Sequence, residues 1–537
     1  MIWRCVHAPV ERRMELFALG TAALLAATPA SGAPASPRPE AQPALPQTAP
    51  SAEASPQASP VPTGLPSNEQ PHATPAAQVA PPVTYPEAAA GYGAKAGPAF
   101  YLARWAEDWS SLRDPAKRTG PFDALKFIPL DADGDVYLTL SDEQRLRHDT
   151  ITSPGLRAGK DTNALLLRNF VGADLHVGEN FRAFGQLASG AILGSNPGNT
   201  SPVQRNDLFV QQLFAEVKGE VAPGVQAGIR VGRQDFQDGP IQLVSIQENP
   251  NIHITFDGVR AYASSAKARV GLFDLHYVTG GPDAFDDPTD HSRRFSGVTG
   301  GFVLPTDLFG GSKLYLDPFF YRYRNRNQRW GNLLDREERR FYGVRLYGDV
   351  GRMNIDINGN YQEGEQGGRD ISAYQLFAAQ TFAMGEGPSA PRLGWRADYA
   401  SGGGAYGNGT LRSANILFGT APYFSYGLFL GPSNFFDIAP TFTFSIGKKT
   451  RVLAEAAAVW RPSETDAVYN GVGAALAGTQ NVRGNSVAQL LRLNAVHSLT
   501  PNLSFTLRTE YLKAAKALKR ADYADALFLG IWGTFRF

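Results

Sequence analysis

The chain ends in Leu527-Phe528-Leu529-Gly530-Ile531-Trp532-Gly533-Thr534-Phe535-Arg536-Phe537. Successive side chains of a β-strand point to opposite faces, so Leu527, Leu529, Ile531, Phe535 and Phe537 share one apolar face. The same period of two runs upstream. Leu503, Phe505, Leu507 and Tyr511 alternate with Ser504, Thr506, Arg508 and Glu510; Leu393, Trp395, Ala397 and Tyr399 alternate with Arg392, Gly394, Arg396 and Asp398. Further back, Val225, Ala227, Ile229 and Val231 alternate with Gln226, Gly228, Arg230 and Gly232. Such segments continue from about Asp135 to the C-terminus, separated by Gly, Asn, Asp and Pro clusters, which is the pattern of half-buried antiparallel strands.

Candidate strands begin near Val136, Leu165, Phe181, Phe209, Val225, Gly258, Val270, Phe295, Leu314, Tyr342, Ile355, Ile371, Leu393, Phe435, Val452, Val487, Leu503 and Leu527. That is about 18, an even number that returns both ends of a closed barrel to one side. Alternation alone fits a soluble sandwich, whose apolar face meets a core, or an outer-membrane barrel, whose apolar face meets lipid. The final strand favours the barrel. Its alternate apolar positions and terminal Phe537 resemble the signal read by the bacterial outer-membrane insertion machinery. The ring clusters Phe319-Phe320-Tyr321-Tyr323 and Tyr423-Phe424-Tyr426 are expected to form aromatic girdles at the two interfaces. The expected fold is all-β: a transmembrane antiparallel β-barrel in the bacterial outer membrane, in contact with lipid and lipopolysaccharide.

Composition excludes other classes. Across 537 residues, 51 basic and 50 acidic side chains leave a net charge of +1, too weak a field for a nucleic-acid partner. Beyond the N-terminus no run approaches the ~20 apolar residues of a membrane helix. Arg12 and Arg13, the apolar run from Leu16 to Ala27 and the small residues Thr28 to Ala33 predict a secretory signal peptide over 1–33. The single cysteine, Cys5, precedes the apolar run, so neither lipid anchoring there nor a disulfide in the exported chain is expected. Residues 34–99 are rich in Pro and Ala and read as a disordered linker, a spacer or a tether to peptidoglycan or a periplasmic partner. The barrel is expected over 100–537.

With the apolar face turned to lipid, the other face lines the lumen. It would carry Arg145, Arg147, Arg168, Arg182, Arg230, Arg260, Arg322, Arg324, Arg345, Arg396, Arg492, Arg508 and Lys218, against Glu143, Asp174, Glu216, Asp349, Asp356, Asp398, Glu455 and Glu510. That excess of cations predicts a preference for anions. Only 12 of the 51 basic residues are lysine, and guanidinium suits planar, bidentate contact with carboxylates. The same arginines would serve equally as cross-strand ion pairs that hold the barrel's shape. A one-residue slip in register would turn any of them to lipid.

Catalytic and metal signatures are missing. Gly159-Lys160-Asp161 lacks the remaining residues of a phosphate loop, and the eight histidines are scattered. Asp131-Ala132-Asp133-Gly134-Asp135 opens like a calcium loop, but Val136 replaces the turn glycine and Asp142 the bidentate glutamate. No enzyme, cofactor or metal is therefore expected; a barrel-embedded enzyme would need a Ser/His/acid cluster at one rim. Residues 281–294 and the Gly/Ser-rich 401–408 are loops that would either stay solvated or fold inward as a gate. Lys513, Lys516, Lys519 and Arg520 fall in the last hairpin connection, available to lipopolysaccharide phosphates or simply to water.

Several stretches together resemble the alginate-export family of outer-membrane porins. Arg104-Trp105-Ala106-Glu107-Asp108-Trp109-Ser110-Ser111-Leu112-Arg113-Asp114-Pro115, Pro121-Phe122-Asp123 and Lys126-Phe127-Ile128-Pro129-Leu130 are similar to its N-terminal signature. Tyr137-Leu138-Thr139-Leu140-Ser141 with Arg145-Leu146-Arg147 follows. Val231-Gly232-Arg233-Gln234, Asn249 and Phe256-Asp257-Gly258-Val259-Arg260 are similar to its strand-turn-strand block. The resemblance covers about 100–537. It implies an 18-stranded barrel with an arginine-lined conduit that passes an acidic exopolysaccharide without chemistry, or alternatively a general porin for small solutes and oligosaccharides.

Overall fold

The computed structural model describes residues 83–86 and 100–537. The expected signal peptide, and the linker apart from 83–86, lie outside the described residues. A two-residue strand, β1 (Ile128–Pro129), lies on the first long strand. The wall is formed by β2 (Val136–Ile151), β3 (Thr162–Val177), β4 (Phe181–Asn196), β5 (Asn206–Ala222), β6 (Val225–Gln234), β7 (Phe256–Ser264), β8 (Ala268–Val278), β9 (Thr289–Val303) and β10 (Lys313–Trp330). It continues through β11 (Leu333–Val350), β12 (Met353–Gln366), β13 (Arg369–Ala383), β14 (Arg392–Ala400), β15 (Phe435–Ile446), β16 (Thr450–Trp460), β17 (Ser486–Ser498), β18 (Leu503–Ala514) and β19 (Ala526–Arg536). Each pairs antiparallel with the next, and β19 returns to β2 with Trp532 opposite Arg147, so 18 strands close a barrel. No described helix is long and apolar enough to cross a membrane.

Most strands start within a few residues of the positions expected from alternation. The exceptions are β9 and β11, which begin well before Phe295 and Tyr342. In β11 the missed portion is Leu334-Asp335-Arg336-Glu337-Glu338-Arg339-Arg340, where charges occupy both faces and erase the apolar period.

The apolar faces point outward as expected: Ile229, Leu393 and Ile531 keep 55%, 56% and 50% of their surface exposed. The end that holds the chain terminus has short turns such as Gly351-Arg352, whereas the other carries the long connections 235–255, 401–434 and 461–485. Outer-membrane barrels keep short turns in the periplasm and long loops outside, which orients the molecule.

The ring clusters depart from expectation. Strand alternation sends only Phe320 outward, while Phe319, Tyr321 and Tyr323 turn inward and are buried; Tyr423, Phe424 and Tyr426 lie on a loop inside the barrel. Outward rings come instead from Tyr342, Tyr361, Tyr374, Tyr399, Phe436 and Trp460, with Tyr374 stacked on Tyr399 at 5.4 Å and Phe436 5.5 Å from Trp460. The inward rings build two apolar clusters with the long loops. Phe273, Phe295 and Tyr321 pack on Phe236, Leu243 and Phe418, and Phe377, Phe435 and Phe528 belong with Tyr423 and Phe429. The barrel thus has its core inside, where loop side chains replace water against the wall.

Candidate functional site

Ten of the twelve arginines expected to line the lumen lie on inward strand positions and are buried: Arg145, Arg147, Arg168, Arg182, Arg230, Arg260, Arg345, Arg396, Arg492 and Arg508. Arg322 and Arg324 do not join them. They alternate with the buried inward Tyr321 and Tyr323 and therefore project from the outer face, where Glu338 of β11 lies 2.6 Å from Arg322. Phe320 and Tyr321 are both aromatic, so the apolar period gives no phase there and the register differs from that expected. The inward carboxylates of the expected set interleave with the ten. Sequence patterning missed Arg269, Arg339, Glu337, Asp317 and Asp437, also inward and buried, because no clear alternation surrounds them.

The arginines fall into groups joined by carboxylates. On one wall Arg396 meets Asp398, Asp437 at 2.8 Å and Glu455 at 3.0 Å, and Glu455 also accepts from Arg492 at 2.6 Å. Arg508 donates to Asn494 at 3.0 Å and lies between rings, 4.8 Å from Tyr426 and 5.0 Å from Trp532. Arg147 lies 4.9 Å from the same Trp532 and 2.6 Å from Asp149. Across β2 and β3, Arg145 and Arg168 converge on Glu248 at 3.2 and 3.0 Å. Burial alone would raise the Glu248 carboxyl, but the two guanidiniums outweigh it and hold it at about 2.

The loops that receive these side chains come from the extracellular end. Residues 235–255 offer the carbonyls of Glu248, Asn249 and Pro250 to Arg145 and Arg168. Residues 401–434 give the Pro422 and Tyr423 carbonyls to Arg492, and Glu510 accepts from the Ser425 hydroxyl. The two loops pair with each other inside the barrel, where Phe418 N donates to the Leu243 carbonyl and Ser245 N to that of Phe418. The stretch 401–408 is therefore the start of an inward loop. Of the expected loop 281–294, residues 281–288 stay at the rim with Asp287 on Arg233, and 289–294 belong to β9. Asp131 accepts from Val136 N and Asp135 pairs with Arg113, an ordinary acidic turn; no group of three metal-ligating side chains occurs among the described residues. Arg520 donates to the Arg483 carbonyl in the last connection.

At the periplasmic mouth, 100–127 lies across the opening. Arg104 donates to the Phe537 carbonyl at 2.6 Å, Trp105 covers Arg230 at 3.6 Å, and Lys126 donates to the Leu140 carbonyl at 3.0 Å. Tyr85 reaches in beside it and donates to Asp317 at 2.7 Å. Burial, with Arg104 nearby, pushes the Lys126 ammonium down to about 7. Behind this segment is a cavity of about 960 Å³ bordered by Arg182, Lys218, Arg230, Arg260, Glu216 and Asp108. A second cavity of about 320 Å³ opens at the extracellular end between Arg147, Tyr426, Phe429 and Phe528.

A family model described as alginate export matches residues 137–530. The chain belongs to the alginate-export family. Comparison with curated proteins finds no match. Among solved structures, this alginate-export protein is similar to OccAB1 of Acinetobacter baumannii (TM-score 0.51, 12% identity, 77% of this chain and 99% of that one). It is also similar to OccK9 (OpdG) of Pseudomonas aeruginosa (TM-score 0.51, 9% identity, 74% and 98%). A third is OpdK of Pseudomonas aeruginosa, solved with vanillate (TM-score 0.50, 8% identity, 74% and 98%). At these identities the likeness is one of fold. Family and fold together make the alginate-export protein an outer-membrane channel.

Proposed function

We propose that this channel conducts an anionic polysaccharide, alginate-like in chemistry, or other anionic solutes by passive diffusion along its basic wall. The observation that supports this is the run Arg396, Arg492, Arg508, Arg147 interleaved with Tyr426 and Trp532, where Arg492 lies 3.9 Å from the Tyr426 ring. Flat rings accept the apolar faces of sugars, and guanidiniums accept their carboxylates. Glu455, Asp149 and Glu510 already occupy part of that hydrogen-bonding capacity, which keeps each contact weak enough to release. We further propose export by a signal peptide over 1–33, assembly through the bacterial insertion machinery, and a periplasmic export partner near the linker.

The pairing of Arg145, Arg168, Arg230 and Arg345 with carboxylates favours a second function, a general porin in which the arginines are scaffold. Reversal potential in a planar bilayer under a salt gradient, with and without uronate oligomers, separates the two. Anion selectivity, block by the oligomers and loss of both in the Arg147→Gln/Arg508→Gln variant are expected for the conduit. Weakly selective, unblocked current would leave the general porin.

A further inference from the structure

The outer face carries a basic cluster that conduction does not use. On β10 the outward Leu316, Pro318 and Phe320 are followed by Arg322 and Arg324. On β11, running the other way, Leu346, Val344 and Tyr342 are followed by Arg340, Glu338 and Arg336. At ~3.3 Å per residue and a tilt of ~40°, the rise from Lys313 to Arg322 is about 23 Å. That is close to the full height of the apolar band, about 25 Å. Phe320 and Tyr342, with ring centroids 5.2 Å apart, mark its upper edge as interfacial aromatics do. The guanidiniums beyond them are at headgroup level in the outer leaflet.

The four guanidiniums crowd one carboxylate. Glu338 lies 2.6 Å from Arg322, 3.6 Å from Arg340, 3.7 Å from Arg336 and 3.9 Å from Arg324, so four cations share one carboxylate. Arg340 has a second acid in Glu363 at 3.5 Å. The Arg324 Nε is buried without a hydrogen-bond partner. Acids flank the cluster on both sides, with outward Glu363, Glu365 and Asp370 on β12 and β13 and Asp274 paired with Arg294 on β8 and β9; between them, on β10 and β11, the four arginines face Glu338. One carboxylate accepts only a few of the donors that four guanidiniums offer, so the remaining forks are available to a headgroup anion.

We propose that Arg322, Arg324, Arg336 and Arg340 bind the phosphate groups of a phosphorylated glycolipid in the outer leaflet. Guanidinium forks match phosphate oxygens bidentately, and Phe320 and Tyr342 place the lipid's chains against the band below. The site is independent of what the lumen carries.

Native mass spectrometry of the full chain released from phosphatidylcholine vesicles containing bisphosphorylated lipid A tests this. Wild-type protein should retain lipid A about tenfold better than its dephosphorylated form. The Arg322→Ala/Arg324→Ala variant should lose that preference while channel selectivity stays unchanged, and Arg322→Lys/Arg324→Lys should keep part of it. Equal retention of both lipids by wild type, full preference in the alanine variant, or displacement of lipid A by an equal concentration of inorganic phosphate would each overturn the proposal. The wild-type comparison needs no variant to fold.

Discussion

Arg396 shows how much one side chain of the inner wall can carry. Asp398 and Asp437 depend on it for countercharge and Glu455 shares it with Arg492, and all three acids are buried. Removing one partner of such a group strands the others, at about 3–5 kcal/mol. Arg396→Met should therefore lower the temperature at which the barrel unfolds on semi-native gels, and an unchanged transition would mean that the acids have other compensation. Gly239 is constrained by backbone and space together. Its φ is +124°, and a Cβ there would overlap the Tyr321 hydroxyl, which donates to the Asp238 carbonyl at 2.6 Å. Gly239→Ala should unseat 235–255 from the wall and raise single-channel conductance; constant conductance would show that this loop does not limit flow. At this scale the sequence was legible wherever one face was clearly apolar, as around Arg230 and Arg396. It failed at Arg322 and Arg324, where aromatics on both faces remove the phase.

Among the elements, the mouth segment 100–127 has a titration of its own. Lys126 docks with its ammonium pushed down to about 7, whereas an undocked lysine titrates near 10.4. The undocked state thus binds more protons between those values, so docking strengthens as pH rises through that window and is weakest below about 7. Limited trypsin cleavage within 100–127 should slow from pH 7 to pH 9, after correction for enzyme rate, and Lys126→Met should flatten the profile. A flat wild-type profile would mean that the Leu140 carbonyl and the nearby rings keep the ammonium charged when docked. The strands themselves were readable as elements because lipid on one side imposes a strict period of two. The inward loops were not. The Gly/Ser run at 401–408 hinted at one, but 235–255 carries Leu243, Val244 and Ile246 without any period, and only their burial against Phe418 and Trp105 gives them a role.

At the scale of the molecule, ion pairs and cavities respond to salt differently. The Arg168 and Arg345 pairs are buried and poorly screened, whereas the arginines that border the two cavities act on a permeant through water. Raising salt from about 0.1 to about 1 M shortens the Debye length from ~10 to ~3 Å. Anion selectivity should fall steeply while the unfolding temperature barely changes; parallel loss of both would mean that the same pairs serve selectivity and stability. The sequence by itself determined the barrel, its number of strands and the outward face of nearly all of them. A membrane offers the outer surface only one kind of contact, and that contact is written locally, every second residue. Only the tertiary structure decided what fills the interior: which arginine meets which acid, which loops turn inward and where the mouth is covered. Many of those contacts join residues far apart in the chain, as Arg396 joins Glu455, Arg145 joins Glu248 and Arg104 joins Phe537, and no local period encodes them.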